Sequence, residues 1–189
     1  MIKLIKEVRN SLQQLQKGNI ILYPTDTVWG IGCDATNVKA VTKIYHIKKR
    51  GESKSLVILV DSIEMLQHYI PKIPKQVFTI LKKATKPTSI IYNNPKYLAD
   101  NVIANDNTVA IRIVHHEFCR ELIHKFGKPI VSTSANITGH PTPKSFKEID
   151  ESILREVDYV VNLQQNTIAN SPSRIIKIIK DGELEVIRN

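Results

Sequence analysis

Asn19-Ile-Ile-Leu-Tyr-Pro-Thr-Asp-Thr-Val-Trp-Gly-Ile-Gly-Cys-Asp34 decides the fold class. Its first five residues, Asn19 to Tyr23, form a β-rich run that Pro24 halts, because proline brings no N–H to a strand ladder. Upstream, Leu4, Val8, Leu12 and Leu15 recur at helical spacing, and Gly18 stands where helices commonly stop. Downstream, Val38, Val41, Ile44, Tyr45 and Ile47 restore a helical period up to the break at Lys48-Lys-Arg-Gly51. The order is helix, strand, loop, helix.

The same alternation continues to the C-terminus. Leu56 to Val60 reads as a buried strand, since its apolar residues run without alternation, and Ile63 to Tyr69 and Lys75 to Lys83 read as helices. Further strands are expected at Ser89 to Tyr92, Val109 to Val114, Pro129 to Ser132, Asp158 to Val161, Ile175 to Ile179 and Leu184 to Ile187, with a helix over Phe118 to Phe126. Asp181-Gly182 between the last two strands signals a tight hairpin, so part of the sheet is antiparallel. The expectation is a single α/β domain over residues 1–189, a twisted mixed parallel and antiparallel sheet with flanking helices. The polar stretch from Asn162 to Ser171 reads as a loop or lid.

Composition narrows the class. The 189 residues are 42% hydrophobic and 24% charged, enough apolar chain for one core. Cys33 and Cys119 form neither a disulfide framework nor a C-x-x-C pair, which suggests reduced intracellular thiols. Charges interrupt the N-terminal apolar residues, and no run approaches the roughly 20 residues of a membrane span, so a cytoplasmic protein without a membrane partner is expected. Lys plus Arg exceed Asp plus Glu, 27 against 18, giving a net charge of +9 that favours phosphate-bearing partners. The seven glycines compose neither a P-loop nor G-x-G-x-x-G; Gly30-Ile-Gly32 alone is either a strand-end turn or part of a ligand loop. His115, His116 and His124 lack metal-binding company, so no metal site is assigned.

Four loops carry the chemistry. In the first, Thr25, Asp26 and Thr27 gather hydroxyls and a carboxylate just past a strand end. In the second, Lys48-Lys-Arg-Gly-Glu-Ser-Lys-Ser55, the cations also suit a helix C-terminus, but Arg50 and Lys54 lie past the break, where they could converge on phosphate. The third is Arg112 in the apolar run Val109-Ala-Ile-Arg-Ile-Val114. A buried arginine needs a partner, and a structural ion pair and a ligand carboxylate both answer. The fourth, Pro129-Ile-Val-Ser-Thr-Ser-Ala-Asn-Ile-Thr-Gly139, ends a buried strand in a dense set of small donors. Together they point to a nucleotide site.

These motifs, in this order and spacing, resemble the threonylcarbamoyl-AMP synthase family, the YrdC-like proteins. Pro172-Ser-Arg-Ile175 and Gly182-Glu-Leu-Glu-Val-Ile-Arg188 extend the resemblance to the C-terminus. It implies a YrdC-like fold around a basic cavity and the joining of L-threonine, bicarbonate or CO2 and ATP, with Mg2+ carried on the ATP. The products would be threonylcarbamoyl-adenylate and pyrophosphate, the adenylate feeding the downstream machinery that makes t6A in tRNA. Carried over by position, Thr27, Arg112, Ser132 and Ser173 would bind threonine. Arg50, Lys54, Thr108, Ser134, Asn136, Thr142 and Arg188 would bind ATP, and Lys48 and Arg50 would be catalytic.

Gly51, Ser55, Leu59 and Arg174 depart from the family pattern, and the chain is expected to be the short form without an extra C-terminal domain. The alternative is a non-catalytic module binding tRNA or double-stranded RNA through the five lysines between Lys72 and Lys86.

Overall fold

Nine strands among the described residues join in the order β7-β1-β2-β6-β3-β5-β4-β8-β9. The computed structural model describes residues 1–51, 56–169, 171–179 and 183–189. The strands are β1 (Ile21–Tyr23), β2 (Gly30–Gly32), β3 (Val57–Val60), β4 (Thr88–Asn93), β5 (Thr108–Ile113), β6 (Ile130–Ser134), β7 (Tyr159–Val160), β8 (Arg174–Ile178) and β9 (Leu184–Arg188). The pairs β1/β7, β3/β5 and β4/β8 are parallel and the other five antiparallel, the mixed sheet expected.

Six α-helices among the described residues flank it: α1 (Ile2–Gln16), α2 (Val38–Ile47), α3 (Ile63–Tyr69), α4 (Lys75–Lys83), α5 (Glu117–Phe126) and α6 (Glu151–Glu156). Strand side chains alternate between faces, and each face buries its own cluster. Leu22, Ile31, Ile58, Val60, Ile111, Val131 and Ile176 point to the side of α2, α3 and α6. Ile21, Tyr23, Leu59 and Ile130 point to the side of α1 and α5, where Val8, Leu15, Phe118 and Leu122 meet them.

That second face is not covered throughout. The register sets Arg112 opposite Leu59, Ser132 opposite Val57, Ser134 opposite Gly30 and Arg188 opposite Ile175, all on the side of α1 and α5. None of these eight except Leu59 belongs to the clusters of fully buried apolar residues. Polar strand residues thus line the part of the sheet that the helices leave open.

Three elements differ from the sequence reading or add to it. Gly30-Ile-Gly32 is a strand, β2, inserted between β1 and β6. Two glycines in three residues carry no strand propensity, and only the backbone bonds on both sides make the segment a strand. The short helix α6 has too few residues for its period to show. The strand read as Pro129 to Ser132 runs on to Ser134, so the Ser/Thr motif lies within the sheet. The Asp181-Gly182 turn lies outside the described residues, but β8 and β9 on either side of it pair antiparallel. No described helix is long and apolar enough to cross a membrane.

Gly32 has a further reason to be glycine. A Cβ there would stand 2.2 Å from the Val131 carbonyl oxygen and 2.7 Å from the Tyr23 ring. The bare position lets the buried Tyr23 phenol cross and donate to that same oxygen at 3.0 Å. Replacing Gly32 with alanine should cost about 2–3 kcal/mol of stability by overpacking, read as a lower urea midpoint with an unchanged slope.

Candidate functional site

A cavity of about 250 Å³ opens on the uncovered part of the sheet. Its floor is Gly30, Val57, Arg112, Ser132 and Ser134 from four neighbouring strands. Thr27 enters from the β1–β2 loop, Arg50 from the end of α2, Thr142 from the loop after β6, and Ser173 and Arg188 from the β8–β9 edge. Segments far apart in sequence converge because adjacent strands in the sheet are not consecutive in the chain.

Local backbone chemistry aims these groups. Asn37 starts α2 by accepting from Ala40 N, while Asp34 accepts from both the N–H and hydroxyl of Thr36. The helix ends in a Schellman motif. Lys49 N bonds His46 O and Arg50 N bonds Tyr45 O, both at 2.9 Å, with Lys49 at φ 49 where glycine is usual. That left-handed residue turns the chain and delivers Arg50 to the cavity. In the β1–β2 loop, Thr25 Oγ1 donates to Val28 O at 2.7 Å. Its one proton is spent there, so in the 2.9 Å contact with Thr27 the Thr27 hydroxyl donates and its own lone pairs stay available.

The cavity is strongly cationic. Arg50, Arg112 and Arg188 line it and no described acidic side chain does. Burial lowers the proton affinity of Arg50 and Arg188 from the usual arginine range, and at Arg188 the charge of Arg112 lowers it further. Arg188 is anchored by donating from Nε and Nη2 to Ser173 O at 3.0 and 2.8 Å, and the Ser173 hydroxyl in turn meets Ser89 Oγ at 2.9 Å. Arg112, 4% exposed, pairs through Nη2 with Asp26 Oδ1 at 3.0 Å. Its Nε has no hydrogen-bond partner among the described residues, so this arginine has a structural ion pair and a donor left over. Removing either member of such a buried pair typically costs about 3–5 kcal/mol.

Lys48 is the C-cap of α2, yet it is not a solvated helix end. It is 2% exposed, and its Nζ donates to Ser134 O and, at 2.7 Å, to Asn136 O. Its own carbonyl accepts from Thr138 N at 3.0 Å, so Lys48 holds the turn after β6 from two sides. Asn136 stabilises that turn from within, its Nδ2 donating to Ile137 O and His140 O.

Of the residues the sequence singled out, Thr27, Arg50, Arg112, Ser132, Ser134, Thr142, Ser173 and Arg188 meet at the one cavity. Lys48 and Asn136 lie beneath its rim rather than on its wall. Thr108 sits at the far end of β5, its hydroxyl donating to Asp106 Oδ1 at 2.6 Å, and the structure does not bring it to the cavity. Lys54 lies outside the described residues. Two partners went unforeseen. Asp26 was visible as part of the first loop but not as the counter-charge of Arg112, and Ser89 had no signal because its place beside Ser173 depends on the β4/β8 pairing. His116 meets Gln164 and His124 meets Asp61, and no described group of three His, Cys, Asp or Glu side chains could hold a metal ion.

The Sua5/YciO/YrdC family model, described as telomere recombination, matches residues 13–189. The chain belongs to the Sua5/YciO/YrdC family. Among similar family members is a threonylcarbamoyl-AMP synthase of Pseudoalteromonas translucida, 34% identical over 170 residues that make up 83% of this chain and 89% of the relative. Another is a putative threonylcarbamoyl-AMP synthase of Methanocaldococcus jannaschii, 36% identical over 176 residues, 92% of this chain and 81% of the relative. Of solved structures, H234A/Y235A Sua5 of P. abyssi superposes with a TM-score of 0.86 at 25% identity, covering 96% of this chain and 55% of the longer one. The same protein complexed with L-threonine gives 0.82 at 24% identity over 96% and 53%, a likeness of fold.

The buried ammonium of Lys48 yields a test. Desolvation, with the charge of Arg50 second, pulls its pKa down to about 8. A neutral amine keeps two N–H groups, one for each carbonyl, so the turn survives deprotonation. Between pH 8 and the unfolded value of about 10.4 the unfolded chain holds the proton that the folded chain has lost, so this group makes stability rise with pH across that window. In a 13Cε titration of the lysines, one resonance should move with a midpoint near pH 8 and vanish in Lys48→Met. A Lys48 signal titrating with the surface lysines would contradict the buried geometry.

Proposed function

We propose that the chain is a threonylcarbamoyl-AMP synthase, which forms threonylcarbamoyl-adenylate and pyrophosphate from L-threonine, bicarbonate or CO2 and ATP. The observation that carries the reading is the single cavity in which three guanidinium groups and a row of hydroxyls converge with no described carboxylate on the wall. Such a wall attracts polyanions and gives fixed donors to both phosphate and carboxylate oxygens. Family membership and relatives carrying that name support the same reading.

The chemistry needs no nucleophile from the protein. The neutral amine of threonine adds to CO2 and releases a proton to solvent to give a carbamate, and a carbamate oxygen attacks the α-phosphorus of ATP. The bond from that phosphorus to the bridging oxygen breaks and pyrophosphate leaves. Catalysis then consists of holding two anions together and offsetting the charge that grows on the leaving group. Arg112, with its unpartnered Nε, Thr27 with its available lone pairs, and Ser132 and Ser173 are proposed to hold threonine. Arg50, Ser134, Thr142 and Arg188 are proposed to face the triphosphate, and Lys54, outside the described residues, is proposed as an ATP-binding residue from the family resemblance alone. Mg2+ enters as part of the substrate, held by phosphate oxygens. Lys48 and Asn136 support the Ser134 turn, and Thr108 is left out of the contact set because it lies off the cavity. The adenylate would then serve t6A formation in tRNA.

Incubated with Mg-ATP and bicarbonate, the protein should release pyrophosphate only when L-threonine is added. Arg50→Ala should lower that rate by about 100-fold, the scale of losing one donor to developing charge. Pyrophosphate release that ignores threonine would reject the proposal.

A further inference from the structure

Asp26 is absent from the cavity wall, yet it holds one of the cavity's three guanidinium groups. Asp26 lines a neighbouring, smaller hollow with His116 and Gln164, which shares Thr27 and Val28 with the cavity. From there Oδ1 reaches Arg112 Nη2 at 3.0 Å, while Oδ2 lies 3.5 Å from the His115 backbone N–H, just past the end of β5. The carboxylate therefore pairs with Arg112 and links the strand that bears it to the loop that bears Thr27. The contact is an ion pair at one Nη2 without hydrogen-bond geometry at Oδ1, and the guanidinium keeps an Nε with no hydrogen-bond partner among the described residues.

We infer that Asp26 is a positioning residue for amino-acid recognition, fixing the guanidinium of Arg112 against the carboxylate of the amino-acid substrate without touching that substrate. The inference rests on the proposed threonine-binding role of Arg112. A different role is conceivable for the same pair: Asp26 could serve only to dilute the positive charge beside Arg50 and Arg188. The two roles predict opposite signs. Removing a negative charge that merely dilutes tightens every anion, whereas releasing an oriented guanidinium weakens the small ligand that needs its geometry and spares the triphosphate.

The test is steady-state pyrophosphate release and separate calorimetric titrations of L-threonine and of ATP on the wild type, Asp26→Asn and Asp26→Glu. Asp26→Asn should raise the threonine KM and Kd at least tenfold, with the ATP values within twofold. Asp26→Glu, which keeps the charge one methylene further out, should fall between the asparagine variant and the wild type for threonine. If Asp26→Asn does not fold, as judged by its circular dichroism and melting, Asp26→Glu decides: a several-fold rise in threonine KM with ATP unchanged supports the role. Unchanged threonine affinity, or tighter binding of both ligands, overturns it. The wild type separates the two readings. Threonine-dependent release with unaffected variants sinks only this inference, while release without threonine dependence sinks the functional proposal and this inference with it.

Discussion

Like charges repel, and the open face of this sheet gathers Arg50, Arg112 and Arg188 with the Lys48 ammonium buried beneath them. Everything around the cavity follows from making that arrangement tolerable. Backbone carbonyls hold two of these cations and a carboxylate a third. Lys48 gives its protons to two carbonyls of the turn after β6, Arg188 clasps the Ser173 carbonyl, and Arg112 has the Asp26 carboxylate. Carbonyl acceptors solvate a cation without cancelling its charge, so the cavity stays cationic while the folded chain stays stable. A wall of carboxylates would have been the simpler answer for stability and would have repelled a triphosphate.

The sheet supplies the platform for this. On the α2 side one apolar cluster runs from β1 across to β8, whereas α1 and α5 cover only part of the other face. The residues beyond their reach are the polar members of strands whose alternate positions are deeply buried. A cavity wall built on strands sits on a close-packed core, and such walls hold side chains more rigidly than loops do. Gly30 and Gly32 fit the same scheme, since β2 lies between two strands whose side chains need the space above it. A Cβ on Gly30 would stand 3.1 Å from the Ser132 hydroxyl on the cavity floor.

Much of the fold was legible because periodicity reports burial on one face. The apolar positions of α1, α2, α3, α4 and α5 and the runs of β3, β4, β5 and β8 mark elements within a residue or two of their places. What escaped was short or held from outside. The strand β2 is made by its neighbours, and α6 spans less than two turns. The candidate site was legible as four clusters of donors, but their roles were not equally so. Nothing in Lys48-Lys-Arg50 says that the first lysine turns inward while the second takes a left-handed backbone to send the arginine outward.

By itself the sequence determined the α/β class, the helices and strands other than β2 and α6, and which residue types would be available at strand ends. Local pattern is sufficient for these because backbone propensity and one-sided burial act over a few residues. Only the tertiary structure decided which of those residues share a cavity, that Arg112 answers to Asp26, and that Thr108 lies elsewhere on its own strand. The strand order is non-consecutive, so residues more than 80 positions apart become neighbours through backbone pairing, and no local pattern encodes that contact.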